Sequence, residues 1–144
     1  MTVRTASSER VAASLRDVIA RLNRRLRQTR PLGELTQTQL SALTSLDLAG
    51  ALTPRELAEA ERVQPPTMTK IVSKLVERGL VQRIPHPTDG RQVILSATGS
   101  GRSMLASNQR ARDAWLGRQI DALCPAERET LWRAVQIVDR IARA

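Results

Sequence analysis

The chain of 144 residues has no tyrosine and no phenylalanine, a single histidine and a single cysteine. With only Trp115 and Trp132 as large aromatics, there is little on which unpaired bases can stack. That argues against a reader of single-stranded RNA or DNA. One cysteine, Cys124, excludes an internal disulfide framework and fits a reducing compartment. One histidine and one cysteine are too few ligands for a His/Cys zinc site. There is no apolar run of about 18 residues, so no membrane-spanning helix is expected. The opening "MTVRTASSER" lacks the apolar centre of a signal peptide. These absences predict a cytoplasmic protein with no metal, cofactor or membrane partner.

Catalysis finds no foothold either. His86 has a proline on each side in a turn-like stretch. No nucleophile stands beside a base, and there is no glycine-rich phosphate loop and no metal-ligand spacing. An enzyme is not expected.

What the chain has is arginine. Lys and Arg total 23 against 14 Asp and Glu, a formal charge of +9. Such an excess suggests a polyanionic partner, nucleic acid before membrane. The charge is unevenly placed. Residues 1–33 hold eight Arg against Glu9 and Asp17. Over residues 34–61, Arg55 alone faces Glu34, Asp47, Glu56, Glu59 and Glu61. Over residues 62–96 the balance reverses, with Arg62, Lys70, Lys74, Arg78, Arg83 and Arg91 against Glu77 and Asp89.

Apolar spacing organises the chain. Val11, Leu15, Val18, Ile19, Leu22 and Leu26 recur at three and four residues, which predicts an amphipathic helix over 8–29. Pro31 and Gly33 interrupt it. A second helix starts at the N-cap Thr36, carries Leu40, Leu43, Leu46 and Leu48, and stops at Gly50. "LTPRELAEAE" is a strong start signal: Thr53 as N-cap, Pro54 at the first helical position, Glu56 completing a capping box. A fourth helix opens at Pro65 and Pro66, residues tolerated only in a first turn, and buries Met68, Ile71, Val72, Leu75 and Val76 before Gly79. Two strands, about 80–84 and 92–96, flank the loop "PHPTDGRQ". The Asp-Gly pair predicts a tight turn with Gly90 in a conformation that other residues resist. A long helix from Thr98 to about Leu123 carries Met104, Ala111, Trp115, Leu116, Ile120 and Leu123. A last one after "CPAE" carries Leu131, Val135, Val138 and Ala142. The fold class is mainly α with a small β-hairpin.

On the fourth helix Pro66, Thr67, Thr69 and Ser73 are short and lie off the apolar stripe, while Lys70 and Lys74 reach further. Short side chains let a backbone approach a DNA groove, and lysines reach phosphates or base edges. A solvated helix face has the same composition.

The order of short helix, turn, polar-faced helix and hairpin is that of a winged helix-turn-helix. The segments "LTQTQLSALTSL", "LTPRELAE", "VQPPTMTKIVSKLVERGLVQR" and "PHPTDGRQVILSATGSGR" resemble, in sequence and spacing, the MarR family of bacterial transcription regulators. The most specific pieces are Leu75-x-x-x-Gly79-Leu80-Val81, Asp89-x-Arg91 and Thr98-x-x-Gly101-Arg102. The resemblance implies an N-terminal dimerisation helix over 1–33, a DNA-binding winged helix over 34–97 and C-terminal dimerisation helices over 98–144. It implies a homodimer on double-stranded, palindromic DNA, acting as a repressor released by a small-molecule effector, in the cytoplasm at the nucleoid. The expected DNA contacts are Thr36, Pro66, Thr67, Thr69, Lys70, Ser73 and Lys74, with Asp89 aiming the guanidinium of Arg91 from the hairpin tip. The expected dimer contacts are Val11, Leu15, Ile19, Leu116, Ile120, Leu131, Val135 and Val138. Cys124, beside Pro125, departs from the family's oxidant-sensing members, whose reactive cysteine lies near the N-terminal helix; it stands where an N-cap would. The competing class is a winged helix used for protein contacts without specific DNA binding.

Overall fold

Capping chemistry sets most of the element boundaries in the computed structural model, which describes residues 6–29 and 35–144. Helix α1 spans Ser8–Gln28, and the Ser7 hydroxyl accepts from the Arg10 N–H at 3.3 Å. Helix α2 spans Gln37–Ala49 behind a complete Thr36/Gln39 capping box, and Gly50 ends it at φ 83°. Helix α3 spans Pro54–Glu61 behind the Thr53/Glu56 box. Helix α4, Pro65–Glu77, has no side-chain cap. Pro65 and Pro66 have no N–H groups, so its first turn leaves fewer donors to satisfy. Strands β1 (Val81–Pro85) and β2 (Val93–Ala97) follow, then α5 (Gly99–Asp121) and α6 (Pro125–Ala142). The Cys124 N–H donates to Glu127 Oε2 at 2.9 Å, so Cys124 occupies the N-cap position of α6. The interruption expected at Pro31 and Gly33 lies outside the described residues.

The chain divides into two compact units, residues 31–110 and the combination of 1–30 with 111–144. In the first, α2, α3 and α4 pack on one another and on the hairpin. Leu43, Leu46, Leu57, Met68, Leu75 and Leu95 are fully enclosed there. The α4 stripe is narrower than expected: Met68, Val72 and Leu75 are buried, whereas Ile71 and Val76 are half-buried. Leu48 does not belong to the core at all and is 84% exposed. It lies two residues beyond Leu46, which puts it on the far side of the helix.

The hairpin is antiparallel, with Val81 opposite Ala97, Arg83 opposite Leu95 and Pro85 opposite Val93. Both strands sit one residue later than the sequence predicts. A short third element, not anticipated, clamps the hairpin: Leu52 N–H donates to Leu95 O at 3.0 Å and Leu95 N–H donates to Leu52 O at 2.7 Å. Because Leu52 precedes the N-cap of α3, the root of the wing is tied to the start of the helix-turn-helix.

The Gly79 and Thr98 motifs meet at one joint. Gly79 has φ 73°. Thr98 lies just before α5, where its hydroxyl donates to Gly79 O at 2.6 Å and accepts from Gly101 N–H at 3.1 Å. Its N–H donates to Leu80 O at 3.0 Å. A Cβ on Gly101 would lie 2.2 Å from that same Leu80 oxygen, so only glycine fits.

The second unit contains α1, α6 and the distal part of α5. Neither α1 nor α6 has a single buried residue. Val11, Val18, Ile19 and Leu22 on α1 are exposed, as are Leu131, Trp132, Val135, Ile137 and Ile141 on α6. Leu15, Leu116, Ile120 and Val138 are half-buried.

Candidate nucleic-acid interface

The outer face of α4 follows from helical periodicity. With Met68, Val72 and Leu75 turned inward, Pro66, Thr67, Thr69, Lys70, Ser73 and Lys74 are all exposed. No hydrogen bond or ion pair involves the side chains of Thr67, Lys70 or Ser73 among the described residues. Others are occupied. Thr69 Oγ1 donates to Pro65 O at 3.0 Å. Lys74 Nζ lies 3.5 Å from Glu77 Oε2, an exposed pair that yields readily to a phosphate. The Thr36 hydroxyl accepts from Gln39 N–H at 3.2 Å within its cap and lies 3.1 Å from Thr38 Oγ1.

The turn between α3 and α4 has two supports that no local pattern signals. Arg62 closes α3 in the left-handed region at φ 54°, ψ 45°. Glu61 is held by α2: Ser41 Oγ donates to its Oε2 at 2.7 Å, and Ser45 Oγ donates to Oε1. The acidic charge of this region thus includes a structural carboxylate that fixes the turn against α2.

At the wing tip the structure corrects two expectations. The tight turn expected at the Asp-Gly pair forms, with the Gln92 N–H donating to Asp89 O at 3.1 Å across Gly90 and Arg91, but Gly90 is not among the positive-φ glycines. It closes a loop over His86–Gln92, between strands that end at Pro85 and Val93. Asp89 does not pair with the guanidinium of Arg91. Its Oδ1 accepts from the Arg91 backbone N–H at 3.0 Å, so the carboxylate shapes the main chain and leaves the arginine side chain exposed, with no ion pair among the described residues. A carboxylate two residues ahead of an amide finds that donor more easily than it finds a long, solvated side chain. The loop is further folded by His86, which the pattern of the sequence marked only as a surface turn.

The expected residues on α4 and the wing are therefore all present at the surface of one unit, residues 31–110. The expected dimer contacts all lie in the other. The MarR family profile matches residues 35–93. An HTH-type transcriptional regulator of Mycobacterium tuberculosis is 42% identical over 132 residues, covering 92% of each chain. A putative transcriptional regulator of Pseudomonas aeruginosa, known as a crystal structure, has the same fold with a TM-score of 0.83 at 32% identity, covering 97% of this chain and 99% of that one. A mutant of the S. aureus protein MepR, solved bound to an oligodeoxyribonucleotide, shares the fold at a TM-score of 0.71 and 18% identity, over 91% of this chain and 97% of that one. By a family profile over residues 35–93 and by relatives matched across nearly the whole chain, this protein belongs to the MarR family of DNA-binding, non-enzymatic transcriptional regulators.

Proposed function

We propose that the protein is a repressor that binds a palindromic operator as a homodimer, in the cytoplasm, and leaves it when a small molecule binds. The observation that carries the reading is the exposed α4 face of short side chains around Lys70, in the same unit as a wing whose Arg91 is exposed, neither cation having an ion pair among the described residues. In this reading α4 enters the major groove, with Pro66, Thr67, Thr69, Lys70 and Ser73 at or near base edges, Lys74 on phosphate and Thr36 close by. Arg91 enters the adjacent minor groove, where a weakly hydrated planar cation suits a narrow electronegative slot. The MepR structure bound to DNA supports the fold's capacity for this use.

Dimerisation through residues 1–33 and 98–144 is supported by the apolar side chains that α1 and α6 expose. A lone chain would present more contiguous apolar surface than monomers usually tolerate. A two-fold axis joins two such faces and places one α4 on each half-site, about 10 bp apart. Repression then requires only that the bound dimer occupy promoter DNA.

For the effector, the supporting feature is a cavity of about 460 Å³ in the unit formed by 1–30 and 111–144, lined by Arg25, Gln28, Ala111, Trp115 and Arg118 among others. Arg25 stands over the Trp115 ring, 5.8 Å from its centroid. Two cations beside a flat aromatic face suit a small planar anion.

Selection of bound duplexes from random double-stranded DNA tests the reading. A palindromic motif with steep salt dependence is expected. Absent or salt-independent binding would favour the protein-contact alternative. Lys70→Ala should cost about 1–3 kcal/mol and relax one position in each half-site if Lys70 reads a base. An equal loss on every sequence would make it a phosphate contact.

A further inference from the structure

The wing loop is folded by side-chain acceptors, and the central one is the chain's single histidine. His86 Nδ1 accepts from the N–H of Asp89 at 3.1 Å and from the N–H of Thr88 at 3.2 Å, and lies 3.3 Å from Thr88 Oγ1. The His86 N–H donates to Gln92 O at 3.1 Å, and the Gln92 N–H donates to Asp89 O at 3.1 Å. Two backbone donors converge on one ring nitrogen. That nitrogen must therefore carry a lone pair, and the ring's one proton sits on Nε2. The order of dependence is short: the ring fixes the Asp89 amide, the Asp89 carboxylate fixes the Arg91 amide, and Arg91 extends from there.

Resting on the DNA-binding role of the wing, we propose that His86 is a positioning residue: its neutral imidazole holds the loop in the shape that presents Arg91 to DNA, and protonation releases that shape. A second proton has only Nδ1 to go to. It turns an acceptor into a donor facing two donors, and both bonds are lost. The charged groups that meet the ring are Asp89 of its own loop, whose N–H reaches Nδ1, and Glu56 at the start of α3. The Glu56 carboxyl is held below its ordinary pKa by the Thr53 side chain first, then by the Thr53 N–H, and to a smaller extent by the positive charge that His86 carries when protonated. It is thus an anion, fixed in the α3 cap, that senses the ring from outside the loop.

Protonation also has an effect of the opposite sign, since a cationic ring attracts phosphates. That attraction is screened over about 8 Å at 0.15 M salt and fades as salt rises. Loss of shape does not fade. Because the chain has one histidine, a pH profile of binding that differs between wild type and His86→Asn reads this ring.

The test uses the full chain and the tightest duplex recovered by selection, at two salt concentrations, together with amide NMR spectra across the same pH range. Wild-type affinity should fall about tenfold toward pH 5.5, roughly the worth of one or two net hydrogen bonds. His86→Ala should bind weakly at every pH. His86→Asn, whose Oδ1 supplies an acceptor near the place of Nδ1 and takes no proton, should rescue most of the affinity and abolish the pH dependence. The Thr88 and Asp89 amides should shift together as the wild-type ring titrates. Tighter wild-type binding at low pH, a pH profile that His86→Asn retains, or amides indifferent to pH would each overturn the proposal. If wild type binds no duplex at all, the DNA-binding role itself fails, and the amide titration alone then decides whether the ring folds the loop.

Discussion

Gly101→Ala should destabilise the protein although alanine is the better helix former. The added Cβ would meet Leu80 O at 2.2 Å and Leu43 Cδ1 at 3.2 Å. The leucine methyl can turn aside. The carbonyl oxygen cannot, because it accepts the Thr98 N–H at 3.0 Å and follows Gly79, whose own carbonyl takes the Thr98 hydroxyl at 2.6 Å. Relief requires about 1 Å of backbone movement to reach an ordinary contact. Overpacking of this kind costs about 1–3 kcal/mol. Loss of the Thr98 to Leu80 hydrogen bond adds about 1 kcal/mol. The helical preference of alanine over glycine returns about 1 kcal/mol. The net is about 2 kcal/mol, or a fall in Tm of about 4–8 °C for a chain of this size. The assay is thermal unfolding followed by circular dichroism at one fixed protein concentration, since oligomers melt higher when concentrated. Gly99→Ala, where a Cβ meets nothing within 4 Å, is the control and should leave Tm unchanged or slightly raised. A Tm for Gly101→Ala within a degree of wild type, or above it, would refute the close-approach argument.

Arg91→Ala should leave folding intact and weaken duplex binding by about 1–3 kcal/mol, with Arg91→Lys recovering only part. Asp89→Ala should also weaken binding although it removes a negative charge, while Asp89→Asn, still an acceptor for the Arg91 N–H, should stay near wild type; titrations at one salt concentration decide, and tighter binding by Asp89→Ala would sink the capping role. A glutamate at Leu15 or Val138 should yield monomers or aggregates in sedimentation, and a wild type that is monomeric at micromolar concentration would contradict the proposed dimer. Arg62→Gly should raise stability by roughly 0.5–1 kcal/mol in urea unfolding, because a non-glycine residue at φ 54° carries a steric cost that glycine escapes.

The parts of the fold legible in the sequence are those governed by neighbours three or four residues apart. The N-cap at Thr36, the capping box at Thr53, the N-cap position of Cys124 and the inward stripe Met68, Val72 and Leu75 are of this kind. So is the exposed α4 face, which is what remains once the stripe is assigned. What escaped depends on residues far apart in the chain or on a choice between partners. Leu52 meets Leu95, and Ser41 and Ser45 meet Glu61, with nothing local to announce either. Asp89 had two possible partners in Arg91, the side chain and the amide, and sequence spacing alone does not distinguish them. Arg62 occupies a left-handed position where a glycine would have given the signal. His86 between two prolines looked like a solvent-facing turn because its function is to accept, which spacing alone does not reveal.

The Leu52 to Leu95 bridge has a consequence for behaviour in a crowded solution. A two-stranded sheet projecting from a helical protein has two open edges, each able to recruit a strand from another molecule. Here the two main-chain groups at the middle of the outer edge of β2, N–H and carbonyl of Leu95, are already taken by Leu52. The edge of β1 carries Arg83 and ends in Pro85, which has no N–H to offer. Wings gathered side by side on neighbouring sites along a duplex therefore have little to pair with in one another, and local concentration does not become edge-to-edge aggregation.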